Sequence, residues 1–264
     1  MKADIGVFGG TGFFSFLENV EQIDVETSFG ATSDRISVGE YKGKKIAFLP
    51  RHRHDYSIPP HMINFRANIY AMKSLGVKKI ISPCSCGSLQ LGIKPGDLVI
   101  PDQFIDRTKG RKDTFYDGPK ITFVSGAEPY CSSLREIAIE CGRKLKLPIH
   151  ERGTVVVIQG PHFSTKAESC WFSKMGWSVV NMTQYPEVIL AREQEICFCG
   201  IALVTDYDAG LQGHPEIKSV EAKDFMKVFN ANIETVKKLL LEIIEKTDVE
   251  KECSCNAALK NATL

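Results

Sequence analysis

Short apolar runs alternate with stretches of helical periodicity along almost the whole chain, and this alternation limits the folds open to it. Seven of the runs are typical of strands. Several are unbroken, as expected for strands that helices cover on both faces of a sheet. The predicted strands are Ile5–Phe8, Lys45–Leu49, Lys79–Ser82, Asp97–Ile100, Thr154–Ile158, Val179–Met182 and Ile201–Thr205.

The intervening segments place apolar residues at helical spacing. They predict helices at His61–Leu75, Ser132–Leu145, Thr165–Met175, Pro186–Ile196 and Val220–Glu245. Such alternation predicts a single α/β domain, in which helices flank both faces of a central, mostly parallel or mixed sheet. We expect this domain to span residues 1–247. Residues 248–264 then form a polar, cysteine-containing tail that packs on the surface or stays mobile.

Charge and hydropathy narrow the class of protein. The chain of 264 residues carries 33 basic and 32 acidic side chains, and this balance argues against a nucleic-acid partner. It has no run of about 18 apolar residues that could span a membrane. Its first residues match a strand better than a signal peptide, because an acid precedes a very short apolar run. We therefore expect a soluble, cytoplasmic protein.

Nine cysteines are many for such a protein, and six of them form Cys-x-Cys pairs: Cys84/Cys86, Cys197/Cys199 and Cys253/Cys255. None has the Cys-x2-Cys spacing usual in zinc sites, and no histidine-rich segment accompanies them. The pattern predicts no metal site and favours buried thiols or disulfides. Because intracellular disulfides are common mainly in hyperthermophiles, the cysteine content hints at such a source.

Glycines follow the first strand, at Gly9, Gly10 and Gly12, with Thr11 among them. Such a turn exposes backbone N–H groups to an anion, and the Thr11 hydroxyl can donate to one of its oxygens. The motif lacks the third glycine of a dinucleotide fingerprint, since Ser15 stands there, and it lacks the Gly-Lys-Ser/Thr of a P-loop. A plain tight turn is the alternative.

Basic side chains follow the second predicted strand, in the run from Arg51 through His52 and Arg53 to His54. An arginine offers a planar, bidentate fork for a dianion. A solvated basic loop is the alternative, although open α/β sheets place their ligands at strand ends. The small residues 83–88 would also allow a ligand to approach closely. A cysteine nucleophile is conceivable in that segment, but small packing residues are the favoured interpretation.

Further polar motifs end the later strands. Phe163, within residues 160–164, could stack on a planar ring, although a lone phenylalanine is more often part of the core. Asp206 and Asp208 follow a buried strand and must be hydrated, paired or functional, since burying an unpaired charge is costly. A helix N-cap is the alternative for Asp208. Together these motifs predict one pocket for a phosphate, a sugar and a heterocycle.

The chain resembles the trimeric type of the purine nucleoside phosphorylase family, and most closely its 5′-methylthioadenosine phosphorylase branch. The resemblance runs from about residue 5 to residue 208. The motifs that carry it are Gly9-Gly10-Thr11-Gly12, Arg51-His52, Cys86-Gly87-Ser88, Lys94-Pro95-Gly96-Asp97, Asp102-Gln103-Phe104-Ile105-Asp106-Arg107, Phe115-Tyr116-Asp117-Gly118, Ala127-Glu128-Pro129, Gly160-Pro161-His162-Phe163-Ser164, Asn181-Met182-Thr183 and Thr205-Asp206-Tyr207-Asp208.

This resemblance implies phosphorolysis of a purine nucleoside, with inorganic phosphate as co-substrate and no metal or organic cofactor. It implies that Asp206 is the catalytic acid at the departing base. The implied phosphate ligands are Thr11, Arg51, His52, Cys84, Ser85 and Thr183. The implied nucleoside contacts are Phe163, Ser164, Met182, Asp206 and Asp208.

The resemblance also implies details of specificity and assembly. Relatives restricted to 6-oxopurines place Asn where this chain has Asp206, which favours 6-aminopurines and, first among them, methylthioadenosine. Cys84 stands where relatives usually carry Thr or Ser, and a thiol is a weaker donor. A homotrimer or a dimer of trimers is expected. Cysteine-rich members of this branch carry disulfides, which predicts oxidation among Cys141, Cys197, Cys199, Cys253 and Cys255.

Three other functions fit parts of the sequence. A broad or 6-oxopurine nucleoside phosphorylase would use the same pocket with a different base. A non-catalytic nucleoside-binding protein would bind adenosine analogues without releasing base when phosphate is added. An NAD-dependent oxidoreductase would share the sheet but needs the third glycine that this chain lacks.

Overall fold

The computed structural model describes residues 1–9, 17–211, 214, 217 and 222–263, with the backbone alone for 222–226. In these residues the strands are β1 (Ile5–Gly9), β2 (Glu18–Ile23), β3 (Ile36–Tyr41), β4 (Lys44–Pro50), β5 (Lys79–Ser88), β6 (Leu98–Val99), β7 (Gln103–Arg107), β8 (Ile149–His150), β9 (Thr154–Ile158), β10 (Val179–Asn181) and β11 (Cys197–Tyr207). The helices are α1 (Phe65–Ser74), α2 (Ser132–Lys144), α3 (Lys166–Lys174), α4 (Gln184–Glu193) and α5 (Ala222–Lys246).

The strands form one mixed sheet that branches at β5. The main path runs β2-β3-β4-β1-β5-β10-β9-β7, and β11 leaves it at β5 to pair with β6, which pairs with β8. Parallel pairs join β1 to β4 and β5, β5 to β11, β6 to β8, and β9 to β7 and β10. The predicted α/β fold with a mixed, mostly parallel sheet is confirmed.

Helices cover both faces of this sheet. On one face, Leu134 of α2 and Ile243 of α5 are buried against strand residues such as Ile201. On the other face, Ile69 of α1 and Leu190 of α4 are buried with other strand residues. Strands enclosed in this way are apolar on both sides, which explains the unbroken runs in the sequence.

Strand limits differ from the sequence prediction where polar or small residues continue a strand. β5 runs six residues beyond Ser82 to Ser88, and β11 begins at Cys197 rather than Ile201. Their long parallel pairing supplies the backbone hydrogen bonds that this extension needs. The sequence prediction missed β2, β3, β7 and β8, which are short, exposed in part, or both.

Helix limits are set by local capping. The prediction began the first helix at His61, but α1 begins at Phe65, because the Asn64 side chain accepts the N–H of Ala67 and a separate 3₁₀ turn covers Pro60–Met62. The capping box between Thr165 and Glu168 begins α3. None of the helices in the described part of the chain is both long and apolar enough to cross a lipid bilayer.

The C-terminal segment after α5 packs against the domain. Cys255 is buried in the core on the α2 and α5 face, and Thr263 forms an isolated bridge with Thr122. Asn256 donates to the backbone oxygen of Glu195 at 3.3 Å. The division of the chain at residue 247 remains a prediction.

Gly200 lies where β11 passes under the first turn of α4. A Cβ atom placed there would lie 2.9 Å from Cγ of Pro101 and would collide with the buried amide oxygen of Gln184. We expect Gly200→Ala to lower the free energy of unfolding by about 1–3 kcal/mol through overpacking. Gly92→Ala is the matched control, because a Cβ there meets nothing within 4 Å. Urea denaturation of both variants measures the difference; equal stabilities would contradict this packing.

Candidate active site

A cavity of about 330 Å³ opens beside the middle of β5, where β10 and β11 approach it. This volume falls in the range of small-molecule sites, roughly 300–1,000 Å³. Its walls include all but one of the residues predicted for the site, namely Arg51, His52, Cys84, Ser85, Phe163, Ser164, Met182, Thr183, Asp206 and Asp208. The remaining one, Thr11, lies outside the described residues. The sequence prediction that these distant motifs converge on one cavity therefore agrees with the geometry for the described residues.

Two motifs sit inside strands rather than after them, which corrects the sequence interpretation. The small residues 83–88 form the second half of β5, and Thr205 and Asp206 belong to β11. A bulge between Val204 and Asp206 shifts the β11 register against β5. Bulges re-aim side chains, so Thr205 and Asp206 both line the cavity although they are neighbours in the chain.

The Arg51 guanidinium is held from behind by a buried carboxylate. Its Nε and Nη2 atoms donate to the two carboxylate oxygens of Glu187 at 2.7 and 3.0 Å. Further N–H groups donate to Ser82 Oγ at 2.7 Å and to the Pro83 backbone oxygen at 3.0 Å. Of the five guanidinium N–H groups, four have partners and one on Nη1 is left. The bidentate fork predicted to face an anion therefore faces Glu187 instead.

His52 is neutral at physiological pH. Its Nδ1 lies 2.9 Å from the backbone oxygen of Ile58, and this contact assigns the ring proton to Nδ1. Burial, reinforced by the charge of Arg51, lowers the pKa of His52 to about 4. Its Nε2 is then an acceptor, suited to a hydroxyl or to the proton of a monoanionic phosphate. The other half of the basic motif, Arg53 and His54, is exposed outside the cavity.

Cys84 is a hydrogen-bonding thiol rather than a nucleophile. Burial raises its pKa to about 11, so it stays protonated near neutrality. Its sulfur accepts the amide N–H groups of Asn181 at 3.2 Å and of Gln184 at 3.6 Å. These contacts leave the S–H proton available to a ligand in the cavity. The neighbouring Cys86 donates to the Leu203 backbone oxygen at 3.3 Å, and burial raises its pKa as well.

Asp206 has the environment of a general acid. Burial raises its pKa to about 6, and the charge of Asp208 adds to this against the opposing hydrogen bond from Thr205. That bond joins Thr205 Oγ1 to Asp206 Oδ1 at 2.7 Å. Gly87 of β5 makes room for the carboxyl, because a Cβ at Gly87 would lie 3.0 Å from Asp206 Oδ2. A pKa near the working pH suits proton donation.

Polar atoms without partners surround Asp208. Its Oδ2 and the hydroxyl oxygens of Ser164 and Ser169 are buried and make no hydrogen bond among the described residues. Burial raises the pKa of Asp208, and the nearby hydroxyls of Ser169 and Ser164 oppose this rise through contacts that fall short of full hydrogen-bond geometry. Buried polar atoms in folded proteins are almost always satisfied. Because Asp208 and Ser164 line the cavity, a ligand with hydrogen-bonding edges would satisfy this group.

The remaining walls are aromatic or apolar. The Phe163 side chain is 51% exposed at the cavity rim, so one of its faces can receive a planar ring. Positive φ at Gly160 permits the turn before it, and a Cβ at Gly160 would lie 2.6 Å from Met182 Sδ. Phe229 and Val236 of α5 form an apolar wall that sequence reasoning did not assign to the site.

Sequence reasoning also missed Glu187, Asn181 and Gln184 as parts of the site. Glu187 follows a proline in a helical pattern, where it looks like a solvated surface residue. Only its pairing with Arg51, 136 residues away, reveals its role. Asn181 lay within a recognised motif but without a role. The amide contacts to Cys84 depend on the register of β10 and α4 and have no local sequence signal.

Thiols form a separate cluster away from the cavity. The Sγ atoms of Cys131, Cys197, Cys253 and Cys255 all lie within 4.8 Å of one another. Among the described residues, these four side chains form the one group that could hold a metal ion. All nine cysteines fall in the described ranges and are unbridged in this structure. The predictions of disulfides and of no required cofactor remain predictions.

The chain belongs to the phosphorylase superfamily, whose family profile matches residues 4–245. The family membership predicted from sequence is thereby confirmed, and the chain is an enzyme of this family. It is 46% identical to the S-methyl-5′-thioadenosine phosphorylase of Thermofilum pendens, over 100% of this chain and 99% of that protein. It is 42% identical to a purine nucleoside phosphorylase of Streptomyces coelicolor, over 98% and 95% of the two chains.

Solved structures agree with these relatives. The fold matches a crystal structure of a methylthioadenosine phosphorylase from an antarctic soil metagenomic library, with a TM-score of 0.93, 37% identity and coverage of 100% and 93%. It also matches the Schistosoma mansoni methylthioadenosine phosphorylase in complex with adenine, with a TM-score of 0.90, 33% identity and coverage of 99% of both chains.

Breaking the buried ion pair between Arg51 and Glu187 by removing one partner should strongly destabilise the protein. Arg51 is 3% and Glu187 1% exposed, so Arg51→Ala leaves a buried, unpaired carboxylate. We expect it to cost about 3–5 kcal/mol of unfolding free energy, and the double variant Arg51→Ala/Glu187→Ala to recover part of that. Arg143→Ala, which breaks the exposed ion pair with Glu151, should lower the free energy of unfolding by no more than about 1 kcal/mol. Equal losses at the two ion pairs, in thermal or urea unfolding, would refute the assignment.

The raised pKa of Asp206 predicts a pH-dependent cost in stability. The unfolded carboxyl ionises near 3.8 and the folded one near 6, so the folded state binds more protons between these values. Wild-type stability should therefore fall relative to Asp206→Asn as pH rises from about 4 to 6, and the difference should then level off. Urea unfolding across this range tests it. Asp24→Asn, which alters an exposed carboxylate, is measured in parallel as the control for the change in charge.

Proposed function

We propose that the chain catalyses the phosphate-dependent cleavage of 5′-methylthioadenosine to adenine and 5-methylthioribose 1-phosphate. One observation carries this proposal: Asp206, a carboxyl with a raised pKa, shares a single cavity with an arginine, a neutral histidine and several hydroxyl and thiol donors. The methylthioadenosine phosphorylases among its relatives support the choice of substrate.

Phosphate would occupy the end of the cavity lined by Arg51, His52, Cys84, Ser85 and Thr183. Arg51 offers its remaining Nη1 N–H, and Cys84 its S–H. Thr183 stands at the N-cap of α4, and its side chain makes no capping hydrogen bond. Its hydroxyl is therefore available to a ligand oxygen. Because Glu187 already balances Arg51, this end can hold the anion mainly through neutral donors, and Thr11 is proposed as a further one.

The nucleoside would lie across the other walls. The purine stacks on Phe163, a contact worth about 1–3 kcal/mol for a base. Its polar edge meets Ser164, Asp206 and Asp208, which satisfies the buried atoms described above. Met182 contacts the sugar. The apolar wall of Phe229 and Val236 suits a methylthio substituent better than a hydroxyl.

The reaction proposed for this site is attack of the bound phosphate on the sugar with protonation of the departing base. Cleaving the C1′–N9 bond develops positive charge on the sugar and negative charge on the purine. Phosphate is already a charged nucleophile, so the protein positions it and needs no base to activate it. Asp206 donates its proton to N7 of the departing base, and closing the cavity around the base raises the protonated fraction further. No step calls for a metal or organic cofactor.

The finer properties are also proposals. We infer a homotrimer or a dimer of trimers and a cytoplasmic location. Disulfides among Cys141, Cys197, Cys199, Cys253 and Cys255 are proposed only for protein that has been exposed to an oxidant; otherwise these thiols are reduced. A second activity, toward other purine nucleosides including 6-oxopurines, is supported by the Streptomyces coelicolor relative. A nucleoside-binding protein without catalysis would bind the same ligands in this cavity.

A phosphate-dependent base-release assay decides among these functions. We expect adenine release from methylthioadenosine only when phosphate is present, and slower turnover of inosine. Asp206→Asn should lower adenine release by about 10²–10⁴-fold, because an amide cannot transfer the proton, and should shift preference toward 6-oxopurines. Asp24→Asn, at a residue that does not line the cavity, is the control for the charge change. Binding of methylthioadenosine without phosphate-dependent release would favour the binding protein.

A further inference from the structure

We propose that Cys131, Cys197, Cys253 and Cys255 form a tetrathiolate site for a structural zinc ion. The four residues come from three separate parts of the chain, and neither cavity nor catalysis uses them. Cys131 precedes α2, Cys197 begins β11, and the other two lie in the C-terminal segment. The fold alone brings them together.

Distances within the cluster bracket those of a tetrahedral zinc site. Zn–S bonds of about 2.3 Å place the sulfurs of a regular tetrahedron about 3.8 Å apart. The sulfur of Cys253 lies 3.2 Å from that of Cys197 and 3.7 Å from that of Cys131, and all four lie within 4.8 Å of one another. Ordinary packing of thiols as small apolar groups would not require all four sulfurs to converge on one point.

The surroundings are suited to a closed, structural site. Cys131, Cys197 and Cys255 are almost fully buried, and Cys253 is half-buried. Four sulfur ligands leave no open position, as in structural rather than catalytic zinc sites. Cys131 occupies the N-cap position of α2, so the positive end of a 13-residue helix faces the thiolates.

Zinc binding here exchanges protons and involves no redox step. Four S–H bonds break, four Zn–S bonds form, and the four protons pass to solvent, which leaves a complex with two negative charges. Bound zinc would tie the C-terminal segment to the start of β11 and to α2. This proposal departs from the sequence prediction of no metal, which relied on the Cys-x2-Cys spacing that the chain lacks.

The full-length protein tests the proposal when it is produced with zinc in the medium and purified without chelator. Elemental analysis should find about one zinc per chain in wild type and in Cys170→Ser. The double variant Cys253→Ser/Cys255→Ser should contain at least about tenfold less zinc per chain than wild type. Cys170 is the matched control, because its half-buried thiol contacts Gly210 and lies outside the cluster.

Two measurements on wild type keep the test valid if the double variant does not fold. Cobalt substituted for zinc should give the visible bands of a tetrahedral ion and the charge-transfer absorption of thiolate ligands. Alkylation in denaturant and chelator, without reductant, should modify all nine cysteines. Absence of stoichiometric metal overturns the proposal. So does a result in which the four cluster thiols react only after reduction, since they are then disulfides, and iron in place of zinc overturns the choice of metal.

Discussion

Parallel pairing of β5 with β11 is the constraint on which the site depends. The two strands stay in register from Cys197 opposite Lys79 to Tyr207 opposite Ser88, interrupted by one bulge. Cys84 and Ser85 on one strand thereby stand beside the segment of the other that ends in Asp206. Helices on both faces bury this pair, so the polar residues of the site sit on a rigid support.

Electrostatics divides the cavity into two unlike ends. At one end Arg51 is paired with Glu187 and His52 is neutral, so little free positive charge remains. At the other end burial raises the pKa values of two carboxyls, Asp206 and Asp208, and the charge of Asp208 adds to the rise at Asp206. An anion bound at the first end would draw on hydroxyl, thiol and guanidinium donors, while the second end holds the proton for the leaving group. Binding the anion and protonating the leaving group, the two requirements of phosphorolysis, are thus met by separate groups.

How much the sequence could predict depended on whether the signal was local. Unbroken apolar runs located β4 and β9, and the short polar motifs located Phe163 and Asp206. β2 carried no such signal, since its residues are exposed or half-exposed on an edge. Glu187 and the four-thiol cluster required long-range contacts. A buried carboxylate is recognised only by its partner, and Cys-x-Cys spacing resembles a metal site only after three segments meet.

The hydrogen-bond geometry of Thr205 bears on how Asp206 changes its charge. The hydroxyl has two acceptors within reach, Asp206 Oδ1 at 2.7 Å and the backbone oxygen of Cys86 at 3.2 Å, but a single proton. When the carboxyl is ionised, the hydroxyl can point toward it. When the carboxyl is protonated, the hydroxyl can rotate to Cys86. A rotation about one C–O bond thus accommodates both charge states, and a full turnover need not disturb the backbone around the acid.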